Sequence, residues 1–193
     1  MSSPTIVVAM TGATGAVFGV RLLEELRVAK VRTELIISEW AKTNIRLETG
    51  LRVEDIESLA TASYSSANLA APISSGSHRV DGMAVVPCSM KTLGAIANGF
   101  GDNLIHRAAD VMLKEKKPLL LATRETPLNA IHLRNMLDLA RLGVTIMPPM
   151  PAFYNRPETI EDLVDHFVAR VMDQFGIETG LARRWGSPQP DEE

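Results

Sequence analysis

A chain of 193 residues is long enough to form one domain with a substantial core. Hydrophobic residues make up 46% and charged residues 22%, which is ordinary for a globular protein, and the net charge of −3 provides no basic field that would attract nucleic acid. Cys88 is the single cysteine, which excludes an intramolecular disulfide and a zinc site built from cysteines.

The sequence also argues against membrane insertion and metal binding. Residues 1–20 carry no charge, but Gly12 and Gly15 interrupt the apolar run and no basic residue precedes it, so a signal peptide is not predicted. No other stretch is apolar for long enough to span a bilayer. The four histidines are isolated from one another and no HExxH motif occurs, so no metal site is predicted. We expect a cytoplasmic protein.

Short strands alternate with longer helices along the chain. Continuous apolar runs predict strands at 5–10, 33–38, 82–88, 118–123 and 144–149. Apolar residues at three-to-four spacing predict helices at 16–29, 104–116, 127–143 and 157–176, with Gly143 ending the third and Pro157 in the first turn of the last. This alternation predicts an α/β fold with a doubly wound parallel sheet in a single domain, 1–186, followed by a flexible tail, 187–193.

The serine-rich segment 58–77 fits neither pattern. It is too apolar for a flexible linker and too irregular for a strand. We expect either a loop buried against a neighbouring subunit or an ordinary surface connection.

Ligands of a doubly wound sheet bind beyond the carboxyl ends of the strands, so the loops there are the candidate site. In the first loop, TGATG, the glycines permit unusual backbone angles, Thr14 adds a hydroxyl, and the helix N-terminus behind it favours an anion. The loop matches neither GxGxxG nor the Walker pattern, so a bound ligand and a simple turn both remain open.

Two further loops carry polar groups with two possible uses. In PCSMKT, Ser89 and Thr92 stand at a helix start, where a serine is either a helix cap or a phosphate contact, and Cys88 is core filler. In TRETP, Arg124 and Glu125 form either a structural ion pair or a phosphate clamp with a proton-transferring carboxylate.

Other cations and an aromatic side chain are candidates for the same pocket. Arg107 and Lys114 are seven residues apart, so they share one helix face. Prolines in PPMPAFYN fix the direction of Tyr154, and Arg170 lies on the following helix. Tyr154 and Arg170 either wall an anion pocket or merely pack.

Taken together, these loops resemble one family. The segments MTGATGA, PCSMKTL, RAADVMLKE, RETPL, PPMPAFYNRPET and ARRW are similar to those of the flavin prenyltransferases, the UbiX-like family, over about residues 4–186. Within this family the chain most resembles the B-type components of the hydroxyarylic (phenolic) acid decarboxylases.

The resemblance implies a flavodoxin-like (Rossmann-like) subunit that assembles into a homododecamer and binds FMN at subunit interfaces without a metal. It implies transfer of a dimethylallyl group from dimethylallyl monophosphate to reduced FMN, first at flavin N5 and then closing on C6. The prenylated FMN would serve a separate UbiD-like decarboxylase.

The resemblance also assigns site residues by motif. Those expected to bind FMN are Gly12, Ala13, Thr14, Ser38, Ser89, Met90, Lys91, Thr92 and Arg124. Those expected to hold the prenyl substrate are Arg107, Lys114, Arg124, Glu125, Tyr154, Arg170 and Trp185. Catalytic roles fall to Thr14, Glu48, Lys114 and Glu125. The chain departs from many relatives at Thr14, where serine is common, and at Arg170, where lysine is common.

Two other functions remain in competition. One is a non-catalytic FMN-binding subunit of a decarboxylase complex. The other is a flavin-dependent cysteine decarboxylase, which is disfavoured because such an enzyme needs a histidine soon after the glycine turn and His78 is the first histidine in the chain.

Overall fold

In the computed structural model, which describes residues 3–181, six parallel strands form one sheet flanked by helices on both faces. The strand order is β3-β2-β1-β4-β5-β6. The strands are β1 (Thr5–Met10), β2 (Arg32–Ile37), β3 (Ala62–Ser65), β4 (Gly82–Cys88), β5 (Leu119–Thr123) and β6 (Thr145–Ile146). The helices are α1 (Ala16–Val28), α2 (Glu39–Thr49), α3 (Val53–Glu57), α4 (Met90–Ala97), α5 (Leu104–Lys114), α6 (Ala130–Arg141) and α7 (Ile160–Asp173).

The α/β doubly wound fold is therefore confirmed. The chain starts in the middle of the sheet with β1, builds one half through β2 and β3, and then crosses to β4 to build the other half. Without the four-residue edge strand β3, the order would be that of a flavodoxin; with it, the order is that of a Rossmann sheet. In both versions the winding reverses between β1 and β4, which is where a ligand crevice opens.

Both faces of the sheet are covered, as the continuous apolar runs predict. Successive side chains of β1 alternate between the two cores: Val8 packs with α1 and α7, whereas Val7 packs on the side of α4 and α5. A strand buried on both faces has no need of polar positions, so its sequence reads as unbroken apolar residues.

The prediction for 58–77 was wrong about secondary structure. This segment contains strand β3 and a short 3₁₀ helix, Pro72–Ser74. As an edge strand, β3 pairs on one side with β2 and alternates half-buried and exposed positions, so it has no continuous apolar run to mark it.

Some element ends also differ from the predictions. β6 has two residues instead of six, because Pro148 and Pro149 lack the N–H groups that would continue the ladder. Pro157 precedes α7, whose N-cap is Thr159. Gly143 does follow the end of α6, in the left-handed conformation with φ of 87°. None of the helices within residues 3–181 combines the length and apolar character needed to cross a membrane.

Candidate active site at the carboxyl ends of the strands

A continuous run of hydrogen bonds joins the ends of the central strands. Ser38 donates its N–H to the carbonyl of Met10, which links β2 to β1. Thr11 donates its N–H and its hydroxyl to the carbonyl of Pro87, at 3.1 and 2.9 Å, which links β1 to β4. The β4–β5 register shifts between Val85 and Cys88.

The run continues to β5. Ser89 donates its N–H to the Thr11 hydroxyl oxygen at 2.8 Å, and Arg124 donates its N–H to the carbonyl of Cys88. The loops after four adjacent strands are thus held at fixed spacing along one edge. Sequence reasoning missed Thr11, although a polar residue directly after a buried strand was a usable signal.

Ser38 and Ser89 are both helix caps. The Ser38 hydroxyl accepts the N–H of Ala41 at the start of α2, and the Ser89 hydroxyl accepts the N–H of Thr92 at the start of α4. Capping satisfies one N–H of each first turn, while the remaining N–H groups and the dipole still favour an anion. Cap and phosphate contact are therefore compatible uses of the same serine.

The glycine turn is shaped by close packing. A Cβ on Gly12 would lie 2.6 Å from Cβ of Trp40, so only glycine lets the first turn of α2 approach. Gly15 has φ of 100°, in the left-handed region, where it leads into α1. Trp40, whose side chain is largely exposed beside this turn, was not recognised in the sequence.

An internal carboxylate occupies the N-terminus of α1. Oε2 of Glu48, from α2, accepts the backbone N–H groups of both Gly15 and Ala16 at 2.8 Å. The sequence favours an anion at this helix N-terminus, and the anionic group that lies there is the chain's own carboxylate. The turn holds the chain's own glutamate, which places Glu48 at the same edge as Thr14.

The α4 end of the edge mixes buried and exposed groups. Thr92 is buried, and its hydroxyl oxygen accepts a hydrogen bond from the Ser89 hydroxyl at 3.2 Å. Met90 packs partly against the core, whereas Lys91 is exposed. Burial raises the pKa of the Cys88 thiol far above its usual range, so Cys88 is core filler and no nucleophile.

Arg124 and Glu125 do not form an ion pair with each other. Glu125 instead accepts the N–H of Thr126, and the Arg124 guanidinium has no partner among residues 3–181. Both side chains are exposed. Arg124 and Glu125 therefore do not serve as a structural ion pair, and the Arg124 guanidinium is exposed at the crevice.

One protomer brings all nine expected flavin-binding residues to this edge, together with Glu48 and Glu125. Those that lie at this edge are Gly12, Ala13, Thr14, Ser38, Glu48, Ser89, Met90, Lys91, Thr92, Arg124 and Glu125. The hydrogen bonds along this edge do not include the expected phosphate ligands on α5 and α7.

Arg107 and Lys114 do share one face of α5, as predicted, but that face packs on the 3₁₀ segment. Arg107 donates to the carbonyl of Ser74 at 3.0 Å and pairs with Asp110, and Lys114 pairs with Glu115 beside Gly76. The N-terminus of α5 lies at the carboxyl edge, where Leu104 donates to Ser66. Ten residues further on, Lys114 is about 15 Å away along the helix axis.

Tyr154 and Arg170 lie together on a third part of the molecule. Tyr154 Oη is 3.2 Å from Nε2 of His166, which is one helical turn before Arg170 on α7. Arg170 pairs with Asp173 at 2.7 Å. Trp185, the seventh expected substrate ligand, lies outside the described residues.

Within residues 3–181, no group of three or more histidine, cysteine, aspartate or glutamate side chains is arranged to hold a metal ion.

Comparison with known proteins identifies the family. The Flavoprotein family model matches residues 1–172. A Bacillus subtilis protein named probable UbiX-like flavin prenyltransferase is 59% identical over 93% of this chain and 88% of its own length. The chain belongs to the UbiX-like flavin prenyltransferases.

Solved structures of relatives superpose closely on this flavin prenyltransferase. AnUbiX (PadA1), in complex with FMN and dimethylallyl pyrophosphate, is 52% identical with a TM-score of 0.96, over 97% of this chain and 100% of that one. A dodecameric FMN-dependent UbiX-like decarboxylase from Escherichia coli O157:H7 is 57% identical with a TM-score of 0.93, over 95% and 100%. The flavin prenyltransferase fold thus extends over nearly the whole chain.

Proposed function

We infer that this enzyme transfers a dimethylallyl group from dimethylallyl monophosphate to reduced FMN, and that the prenylated FMN serves a UbiD-like aromatic acid decarboxylase. The observation that supports this is the row of hydrogen-bond donors along the carboxyl edge of the sheet. The chain that carries them is 52% identical in sequence to a relative whose structure was solved with FMN and dimethylallyl pyrophosphate. The described part of the chain offers the anion-binding groups that two phosphorylated ligands require.

The residues at the edge fit FMN. The N-termini of α2 and α4 direct N–H groups and partial positive charge at the crevice, and Arg124 adds a full charge beside them. The buried hydroxyl of Thr123 has no hydrogen-bond partner within residues 3–181 and stands next to Arg124. Such a donor set suits a phosphate monoester and the polar edge of a flavin.

Reduced FMN, when bound, supplies the nucleophilic ring that accepts the dimethylallyl group. The protein's part is to stabilise the phosphate that leaves with the electron pair of the broken C–O bond. Arg124, Lys114 and Arg170 provide positive charge, and each well-placed donor of this kind contributes about 3 kcal/mol to the transition state. Tyr154 adds a neutral donor and an aromatic wall for the cationic allyl group.

Two carboxylates are available to move protons. Glu125, exposed at the end of β5, delivers a proton to the departing phosphate. Glu48 is fixed by its bonds to Gly15 and Ala16, which hold Oε2 and leave Oε1 for a proton near the flavin. Thr14, exposed in the glycine turn, contributes a hydroxyl beside it.

A site shared between subunits accounts for the remaining cations. Lys114 is far along α5 from the carboxyl edge of its own protomer, so it would act in the crevice of a neighbour. We propose a homododecamer, in line with the dodecameric relative.

The test is anaerobic incubation of the purified protein with reduced FMN and dimethylallyl monophosphate, followed by mass spectrometry of the flavin. The expected result is a flavin heavier by one prenyl group, and no change with Arg124→Met. An unchanged flavin mass with FMN bound to the wild-type protein would overturn the transferase and favour a non-catalytic FMN-binding subunit.

A further inference from the structure

The side chain of His166 lies directly behind Tyr154. His166 is 7% exposed, on the inner side of α7, and its Nε2 is 3.2 Å from the phenol oxygen. The two rings pack edge to face with centroids 5.5 Å apart. Tyr154 itself is 46% exposed.

The loop that carries Tyr154 is fixed to the same helix. Oδ2 of Asp162 accepts the N–H groups of Glu158 and Thr159, both at 2.9 Å, and the Thr159 hydroxyl accepts the N–H of Asp162. This reciprocal cap holds the end of the loop against α7. The chain four residues after Tyr154 is therefore tied to the first turn of the helix that carries His166.

His166 is neutral at physiological pH. Burial is the main cause that lowers its pKa, and the positive charge of Arg170 lowers it further. Other charged groups around the adjoining cavity of about 340 Å³ are Arg156, Glu158 and Asp162. A neutral imidazole carries one proton, on either Nδ1 or Nε2.

The surroundings favour the proton on Nε2. Nδ1 is buried, and among the described residues it has no hydrogen-bond partner. A buried N–H without a partner is rarer in proteins than a buried acceptor without one. With the proton on Nε2, the imidazole donates to the oxygen of Tyr154, and the hydroxyl hydrogen of Tyr154 then points away from the imidazole.

We propose that His166 is a positioning residue. Its Nε2–H donates to the phenol oxygen of Tyr154, and this directs the tyrosine hydroxyl to donate to the phosphate of the prenyl substrate. This rests on the proposed function, in which Tyr154 contacts that phosphate. A phosphate accepts hydrogen bonds. If the phenol O–H of Tyr154 donated to His166, only an oxygen lone pair would face the phosphate.

The hydrogen-bond direction is testable without substrate. The chain has two tyrosines, so a Tyr64→Phe background leaves Tyr154 as the sole source of the tyrosine Fermi doublet in off-resonance Raman spectra. Its intensity ratio is high when the phenol oxygen accepts a hydrogen bond and low when the hydroxyl only donates. We expect a lower ratio in His166→Phe, which keeps an aromatic ring, and recovery in His166→Gln, which keeps an N–H donor. An unchanged or higher ratio in His166→Phe would overturn the proposal.

Kinetics test the consequence for the substrate. His166→Phe should raise KM for dimethylallyl monophosphate about tenfold with a smaller change in kcat, and His166→Gln should recover most of the loss. Unchanged KM and kcat in His166→Phe, in an active wild-type background, would overturn the positioning role. If the wild-type protein prenylates no flavin, the proposed function fails, while the Raman result still decides the hydrogen bond.

Discussion

The carboxylate of Glu48 lies 2.8 Å from the backbone nitrogen of Gly15 and accepts its N–H. The N-terminus of α1, at the glycine-rich turn, is therefore neutralised from within the chain, by a residue 33 positions further on. An external phosphate has better access to α4, whose first turn has a capping serine and no acidic side chain.

Replacing Glu48 should weaken the fold at this turn. Glu48→Gln keeps an acceptor oxygen and loses the charge, so we expect about 0.5–1 kcal/mol of destabilisation, and Glu48→Ala should cost about 1–2 kcal/mol because two N–H groups lose their partner. Urea unfolding measures both. Glu39→Ala, on the exposed first turn of the same helix, is the matched control. Equal effects of Glu48→Ala and Glu39→Ala would show that the contact contributes nothing.

Gly12 should tolerate no side chain. The Cβ of Gly12→Ala would approach Trp40 Cβ to 2.6 Å, so the start of α2 must shift, at a cost of about 1–3 kcal/mol. We also expect weaker FMN binding and altered Trp40 fluorescence, because Ser38 lies on the same turn. Gly101→Ala is the control, since its Cβ would meet no atom within 4 Å. Identical thermal unfolding and flavin affinity of the two variants would contradict the close packing.

Thr11 should matter through its hydroxyl. Thr11→Val keeps the shape but leaves the N–H of Ser89 without its acceptor, which costs about 1–3 kcal/mol. Thr123→Val is the matched control: this threonine is equally buried at a strand end, and its hydroxyl makes no hydrogen bond within residues 3–181. Chemical denaturation should separate the two variants. A larger loss for Thr123→Val would refute the role given to Thr11.

Stability should fall in mild acid because of His106. Burial lowers its pKa, Asp102 partly opposes this, and Lys91 adds to the lowering. Between the lowered value and about 6.5, the unfolded chain therefore binds a proton that the folded chain does not. Above about pH 6.5 the free energy of unfolding loses nothing to this group. Below that pH it decreases, by at most about 1.4 kcal/mol per pH unit for this group.

Unfolding free energies measured from about pH 7.5 to about pH 5, which brackets the ordinary histidine pKa of about 6.5, test this. Nδ1 of His106 lies 2.7 Å from Asp102, although off the direction of a hydrogen bond, so removing that charge should deepen the acid loss. We expect a flatter profile for His106→Gln and a steeper one for Asp102→Asn. Parallel profiles for all three proteins would contradict the assignment.

Sequence patterns predicted the parts of this fold that depend on local physics. The buried strands and amphipathic helices carry their own periodicity, so β1, β4, β5 and α5 were located to within a few residues. Helix α2 was not, because it buries few side chains and reads as polar. β3 was missed because an edge strand of small residues owes its form to pairing with β2.

The candidate site divides in the same way. Ser89 and Arg124 could be placed there because strand ends can be located from sequence and parallel strands end at one edge, whereas Ser38 was assigned only by the family resemblance. The contact of Glu48 with Gly15 was not found, since it joins residues on two helices whose packing is set by the tertiary fold. His166 was set aside as isolated in sequence, although it contacts Tyr154 twelve residues away.

The separation of Lys114 from Arg124 predicts subunit complementation. Lys114 is on the far part of α5 and Arg124 is at the carboxyl edge, so an active site that needs both would draw them from different copies. Lys114→Met and Arg124→Met should each abolish flavin prenylation. When the two variant oligomers are dissociated, mixed in equal amounts and reassembled, about a quarter of the wild-type activity should return. Each shared site needs an intact Arg124 from one copy and an intact Lys114 from another, and each is present in about half of the copies.

The control is Lys116→Met, which removes an exposed charge two residues from Lys114 and should leave prenylation unchanged. Mixing two samples of the same inactive variant should recover nothing. If the mixed Lys114→Met and Arg124→Met oligomers also stay inactive, while size-exclusion chromatography shows full reassembly, both cations act within one protomer. Lys114 would then have to reach the crevice by a movement of α5, because its present position against Gly76 keeps it far from the edge.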